Sequence, residues 1–258
     1  MYSKTISLPD PPVRELAGCA AQDWSGAPQY PEPRVDLKLN ERLAATRKAA
    51  REGSLNLERM LLAYWAVATL VGVLVLSDWI GAWNVPATLQ VPGLPIYLVL
   101  TFALSQVLYV LVARYDGRSI HWGATGLFAL GNGIAETLAF GVVYRLGEII
   151  GAGLVGLFAP SIASVAGFLL GVVGFVVYGG LIHSLFWLPL LPPHLDDSPR
   201  SRKIRKLRPV AEVALVIGWS LCFWLTRDLW TVVFFHILVD IGLMLKVRPP
   251  IFGARHAR

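Results

Sequence analysis

From Met60 onward the chain alternates between long apolar runs and short polar or Pro/Gly-rich breaks. Most runs are close to the roughly 20 residues that a helix needs to span a hydrocarbon core. Met60 to about Trp79, about Leu94 to Ala113, about Gly123 to Tyr144, about Pro209 to Thr226 and Leu229 to Leu245 each read as one span. The exception is Ile149 to Leu191, which holds no Asp, Glu, Lys or Arg and is too long for one span yet awkward for two. Pro160 and the glycines 171, 174, 179 and 180 invite a break in it. A short re-entrant piece followed by one long tilted helix satisfies the charge pattern, as would three crossings. The pattern as a whole predicts an all-α fold: a multi-pass transmembrane helical bundle of about six spans.

Residues 1–59 differ in kind. They are rich in Pro and charged residues and have too little apolar content to build a core, so most of the tail is expected to be extended. Within it, "NERLAATRKAAREGSLNLERM" (40–60) favours helix, and its arginines suit a basic helix lying on anionic lipid. The transmembrane domain is expected over 60–248, and 249–258 form a short basic C-terminal tail.

Charge fixes an orientation. Arg42, Arg47, Lys48, Arg51 and Arg59 precede the first span, whereas 77–93 has no Lys or Arg. Arg114 and Arg118 follow the second span, "PRSRKIRKLRP" (199–209) precedes the fifth, and Lys246, Arg248, Arg255 and Arg258 follow the last. The positive-inside bias then predicts an integral membrane protein with cytoplasmic N- and C-termini. The net charge of +6 is explained by these loops, so nucleic acid is not an expected partner. Cys19 and Cys222 are too far apart in character, one in the polar tail and one in a span, to suggest a disulfide framework or thiolate metal site.

Polar side chains inside spans are costly and mark function or pairing. Away from the span ends these are Gln106, Asn132, Glu136, His183, His236 and Asp240. His236 and Asp240 are four residues apart and share one helix face. One Glu and two His on three spans can converge on a dry cavity, where they could activate water, hold a metal such as zinc, or relay protons. Structural roles are open to each: a protonated Glu136 bonded to a neighbouring carbonyl, His183 as an interhelical donor, and a self-neutralising His236–Asp240 pair.

"LTRDLWTVVFFHILVDIG", with His236-x-x-x-Asp240, together with "ETLAFG" from Glu136 and "VYGGLIHSLFW" around His183, resembles the CPBP intramembrane proteases, the CAAX prenyl-protease and bacteriocin-processing type. The resemblance covers about 124–246. It implies a water-activating Glu136, His183 and His236 binding metal or polarising the scissile carbonyl, and Asp240 beside the oxyanion or the ligand histidine. Thr137, Gly141 and Gly179 stand where that family carries its second Glu, its Arg and its Phe.

The leading expectation is therefore a divergent intramembrane peptidase of metal- or glutamate-dependent type. Its partners would be membrane lipid and a membrane-protein or lipidated-peptide substrate. The alternatives are an inactive scaffold or assembly factor of the same fold and, third, a proton-coupled transporter.

Overall fold

The computed structural model describes residues 37–115, 117, 119–187, 191 and 194–252, with side chains from Asn56 onward. The expected extended tail, up to residue 36, and the end of the C-terminal tail lie outside the described residues. The chain divides into two units, 1–47 and 48–258, and all six candidate spans belong to the second.

The order of elements is α1 (Leu37–Val75), α2 (Ser77–Gly81), α3 (Val85–Gln90), α4 (Leu94–Val112), α5 (Trp122–Gly156), a 3₁₀ turn (Pro160–Ile162), α6 (Ala163–Ile182), a π turn (His183–Trp187), α7 (Pro199–Arg205), α8 (Arg208–Thr226) and α9 (Leu229–Lys246). No β-strand occurs among the described residues, only an isolated bridge between Ala113 and Leu195. Six helical segments, beginning at Asn56, Leu94, Trp122, Pro160, Pro199 and Leu229, are long and apolar enough to cross a membrane. The protein is all-helical, and its apolar helices are those of a multi-pass integral membrane protein. Within the second unit, helix over 48–60 continues without a break into the first span.

The long uncharged tract resolves differently from the expectation. Its first residues are continuous with α5, which runs for 35 residues to Gly156. The break falls at Leu157–Ile162, where Pro160 opens the 3₁₀ turn, and α6 then runs through Gly171, Gly174, Gly179 and Gly180 unbroken. The glycines instead serve helix contact. Gly147 and Gly151 of α5 face Gly167 and Gly171 of α6, two small-x-x-x-small stripes that let the backbones approach. A Cβ added at Gly147 would lie 2.7 Å from the Leu170 carbonyl oxygen, and one at Gly167 2.7 Å from that of Glu148.

Gly133 does the same between α5 and α9. A Cβ there would sit 2.6 Å from Ile237 Cγ1 and 3.0 Å from the Ile237 nitrogen. This close approach presses the polar face of α5, Asn132 to Thr137, against His236 and Asp240.

The two ends of the bundle differ. At one end the Phe252 N–H donates to Glu58 (3.0 Å) and Arg114 N–H donates to the His194 carbonyl (3.3 Å), so both ends of the spanning unit meet on one face. The basic segment 199–208 lies on the same face, because Val112, Leu195, Ile204 and Val247 surround one cavity. The opposite end is capped around buried Trp79. Arg145 and Arg227 stack their guanidiniums 5.3 and 5.5 Å from its ring centre. Arg145 pairs with Asp78 at 3.1 Å, and Arg227 pairs with Glu148. Arg227 holds a left-handed φ of 56° in the turn between α8 and α9, and buried Asp228 caps α9 by accepting from the N–H groups of Trp230 and Thr231.

Candidate functional site

Asn132, Glu136 and Thr137 on α5 and His236 and Asp240 on α9 form one buried polar cluster, each residue at most 5% exposed. Charges buried in a span are tolerated only when they are paired and bonded. Here the bonding can be followed atom by atom.

The chain starts on α1. The Trp65 indole N–H, a donor only, gives to Asn132 Oδ1 at 3.0 Å. That fixes the orientation of the Asn132 amide, so both Nδ2 protons point the other way, to Glu136 Oε2 (2.6 Å) and Asp240 Oδ2 (3.0 Å). From the other side, the Thr137 hydroxyl donates its single proton to the Gly133 carbonyl at 2.6 Å. It can therefore only accept from His236, whose Nδ1 is 2.9 Å away and must carry a proton.

This assigns the other ring nitrogen. His236 Nε2 lies 3.3 Å from Glu136 Oε2 and 3.8 Å from Asp240 Oδ2. One proton sits between the imidazole and Glu136 whichever of the two holds it. The ring is further fixed by Phe140, stacked at 5.9 Å, and Trp219 at 4.9 Å.

Two atoms of this assembly have no partner among the described residues: Glu136 Oε1 and Trp219 Nε1. Glu136, His236, Asp240 and Trp219 all stand in the wall of one cavity of about 230 Å³, with His183, Arg208 and Glu212 in the same wall. The two atoms are themselves buried, on residues that line a mostly apolar cavity, and an acceptor and a donor so placed are the groups a water or a polar substrate group would satisfy. Beyond His183, Arg208 and Glu212 a second chamber of about 490 Å³ continues to the basic face.

Three of the four site residues expected from the sequence, Glu136, His236 and Asp240, are in contact. His183 shares their cavity but bonds elsewhere. Its Nδ1 engages the Gly179 carbonyl (2.9 Å), and its Nε2 is 3.9 Å from Glu212, which pairs with Arg208 at 2.5 Å.

The zinc implied by the resemblance can be tested on this donor set. His236 has both ring nitrogens turned to Thr137 and Glu136, whereas His183 has its Nδ1 bonded to the Gly179 carbonyl and its Nε2 3.9 Å from Glu212. No group of three His, Cys, Asp or Glu among the described residues is arranged to hold a metal ion.

Arg145, a turn beyond the position of the family's Arg, turns to Asp78 and Trp79 at the far end and takes no part. Thr137, at the position of the family's second Glu, orients His236. Sequence reading missed Trp65 and Trp219. Each is one of nine tryptophans in a membrane protein, a residue type ordinarily explained by packing or the interface, and nothing in the spacing singles them out. Asn132 was visible as a polar residue one turn before Glu136 on the same helix.

No protein-family model, curated protein or solved structure matches the chain.

Proposed function

We propose that the protein is an intramembrane hydrolase that cleaves a peptide bond of a membrane-associated substrate with water activated at Glu136. The observation that carries this reading is Glu136 Oε1: a buried carboxyl oxygen without a protein partner, on a residue held at its other oxygen and set in a cavity wall. Asn132 and His236 fix Oε2, which leaves Oε1 to accept a proton from water. The water oxygen bonds to the carbonyl carbon, the C–N bond breaks, and the proton passes from Glu136 to the departing nitrogen. The products are an amine and a carboxylic acid.

Trp219 Nε1–H is a free donor on the same wall, suited to the oxyanion that forms on the carbonyl oxygen. His183, further along the wall, contributes a second polar contact for the substrate backbone. The basic face is assigned to the cytoplasm by the positive-inside bias, so substrate enters from that side.

The test uses purified protein in nanodiscs with membrane-anchored peptides, cleavage being read by mass spectrometry. Glu136→Gln keeps the size and bonding of the side chain but cannot take the proton, and is expected to lower the rate by about 10²–10⁴-fold. Cleavage unchanged in this variant would overturn the assignment of Glu136. A folded wild type that binds but cleaves no membrane-anchored peptide would overturn the hydrolase reading and leave a binding role for the cavity.

A further inference from the structure

We infer that the second chamber is a binding site for an anionic glycerophospholipid, with an acyl chain between α4 and α8 and the phosphate headgroup at Arg205 and Arg208. Its walls are mainly apolar side chains of the spans, among them Leu108, Val112, Leu215 and Val247. Its volume of about 490 Å³ falls within the roughly 300–1,000 Å³ usual for sites that enclose a ligand. The mouth lies where α4 ends and α8 begins, the depth at which headgroups meet hydrocarbon.

Charge selects the occupant. Over residues 194–212 there are six Lys and Arg (Arg200, Arg202, Lys203, Arg205, Lys206, Arg208) against three Asp and Glu (Asp196, Asp197, Glu212). Of these, Arg205 and Arg208 stand in the chamber wall. The Arg205 partner is Asp197, whose side chain is 83% exposed, so this pair is weak and readily exchanged for a phosphate. Basic pockets between spans are a recurrent means of holding acidic headgroups. Arg208 is paired with Glu212 at 2.5 Å, so Arg205 is the cation more readily given to a phosphate, and a neutral lipid would satisfy the walls and make no use of it.

One position tests occupancy separately from charge. Gly180 lines both chambers, and a Cβ added there meets nothing within 4 Å. Gly180→Phe is therefore the substitution expected to narrow the passage at least cost to the helix. The experiment is native mass spectrometry of the full chain in neutral detergent, titrated with phosphatidylglycerol or phosphatidylcholine; no catalytic turnover is read, so its outcome is separate from that of the hydrolase proposal.

One phosphatidylglycerol per chain is expected to be retained in preference to phosphatidylcholine. Arg205→Gln should weaken it about fivefold, and Gly180→Phe should abolish it. Arg200→Gln, whose side chain is not in the chamber wall, should change it little. Equal retention of the two lipids would overturn the charge argument. Phosphatidylglycerol binding undiminished in Gly180→Phe would overturn the chamber, and would mark adsorption on the basic surface instead.

Discussion

The bond from Trp65 to Asn132 ties α1 to the polar cluster, and its strength can be measured apart from any activity. In Trp65→Phe the indole N–H is lost and most of the ring is kept, so that packing on Phe128 and Phe252 is largely preserved. Asn132 Oδ1, on a side chain 1% exposed, is then left without a donor. An orphaned buried acceptor costs about 1–3 kcal/mol. In Asn132→Leu the acceptor and both amide donors go together, which strands the indole N–H and withdraws two bonds from Glu136 and Asp240, for about 2–5 kcal/mol. In the double variant no indole remains to be stranded, so the sum of the single losses overshoots. Interhelical bonds in membrane proteins couple by about 0.6 kcal/mol on average and about 1.7 at most. Full burial and a fixed amide put this pair toward the upper end, at about 1–1.7 kcal/mol. The assay is reversible unfolding in mixed micelles followed by helical circular dichroism, since eight tryptophans remaining would blur a fluorescence signal. Single losses that add to within about 0.3–0.5 kcal/mol would refute the bond and the amide orientation deduced from it.

Thr137→Val keeps the shape but strands His236 Nδ1–H, and is expected to cost about 1–3 kcal/mol and to reduce cleavage, whereas Thr137→Ser restores both; the paired melting and turnover measurements check it. Gly171→Leu places a Cβ 2.7 Å from the Tyr144 ring and 3.0 Å from its carbonyl oxygen, and should destabilise by about 1–3 kcal/mol as α5 and α6 are forced apart. Unfolding in micelles reads this directly, and an unchanged midpoint would refute the close α5–α6 contact. Gly180→Phe should leave that midpoint within about 0.5 kcal/mol, as its Cβ meets open space, yet slow cleavage of a membrane-anchored peptide by narrowing the route to Glu136.

Much of the fold was legible because a bilayer imposes a length on apolar runs. Five of the six spans stand close to where the pattern of hydrophobic residues put them. The uncharged tract from Ile149 was not legible, because hydropathy records what a residue avoids and not what it packs on. Gly171 and Gly174 read as breakers by propensity, but Gly171 lies in a seam where the absence of a side chain brings two helices together. His236 and Asp240 were paired correctly by spacing alone, since four residues make one helical turn. Glu136 was joined to them only by the argument that three spans can converge and by the resemblance, because its partner is on another helix and no spacing relates the two. Trp65 and Thr137 were hidden for a different reason. Their contribution is a single hydrogen-bonding direction, a donor-only indole and a hydroxyl whose one proton is already committed, and direction exists only once the helices are assembled.

The two ends of the bundle bear on which chemistry the cluster can perform. A proton-coupled transporter needs its polar site to reach both faces in turn. From Glu136 the route to the basic face passes the polar side chains of His183, Arg208 and Glu212, then opens into the second chamber. Toward the other face stands Trp79, 2% exposed, gripped by two guanidiniums that are themselves paired to Asp78 and Glu148. Opening that end would break two ion pairs and two cation–π contacts and also release the Trp230 indole from the Ile80 carbonyl. The polar groups at that end are spent on closure, while those at the basic end lie along a passage. A cavity reached from one face fits the proposed hydrolase, whose reactants and products use the same door; a carrier held in one of its two states would present the same single opening.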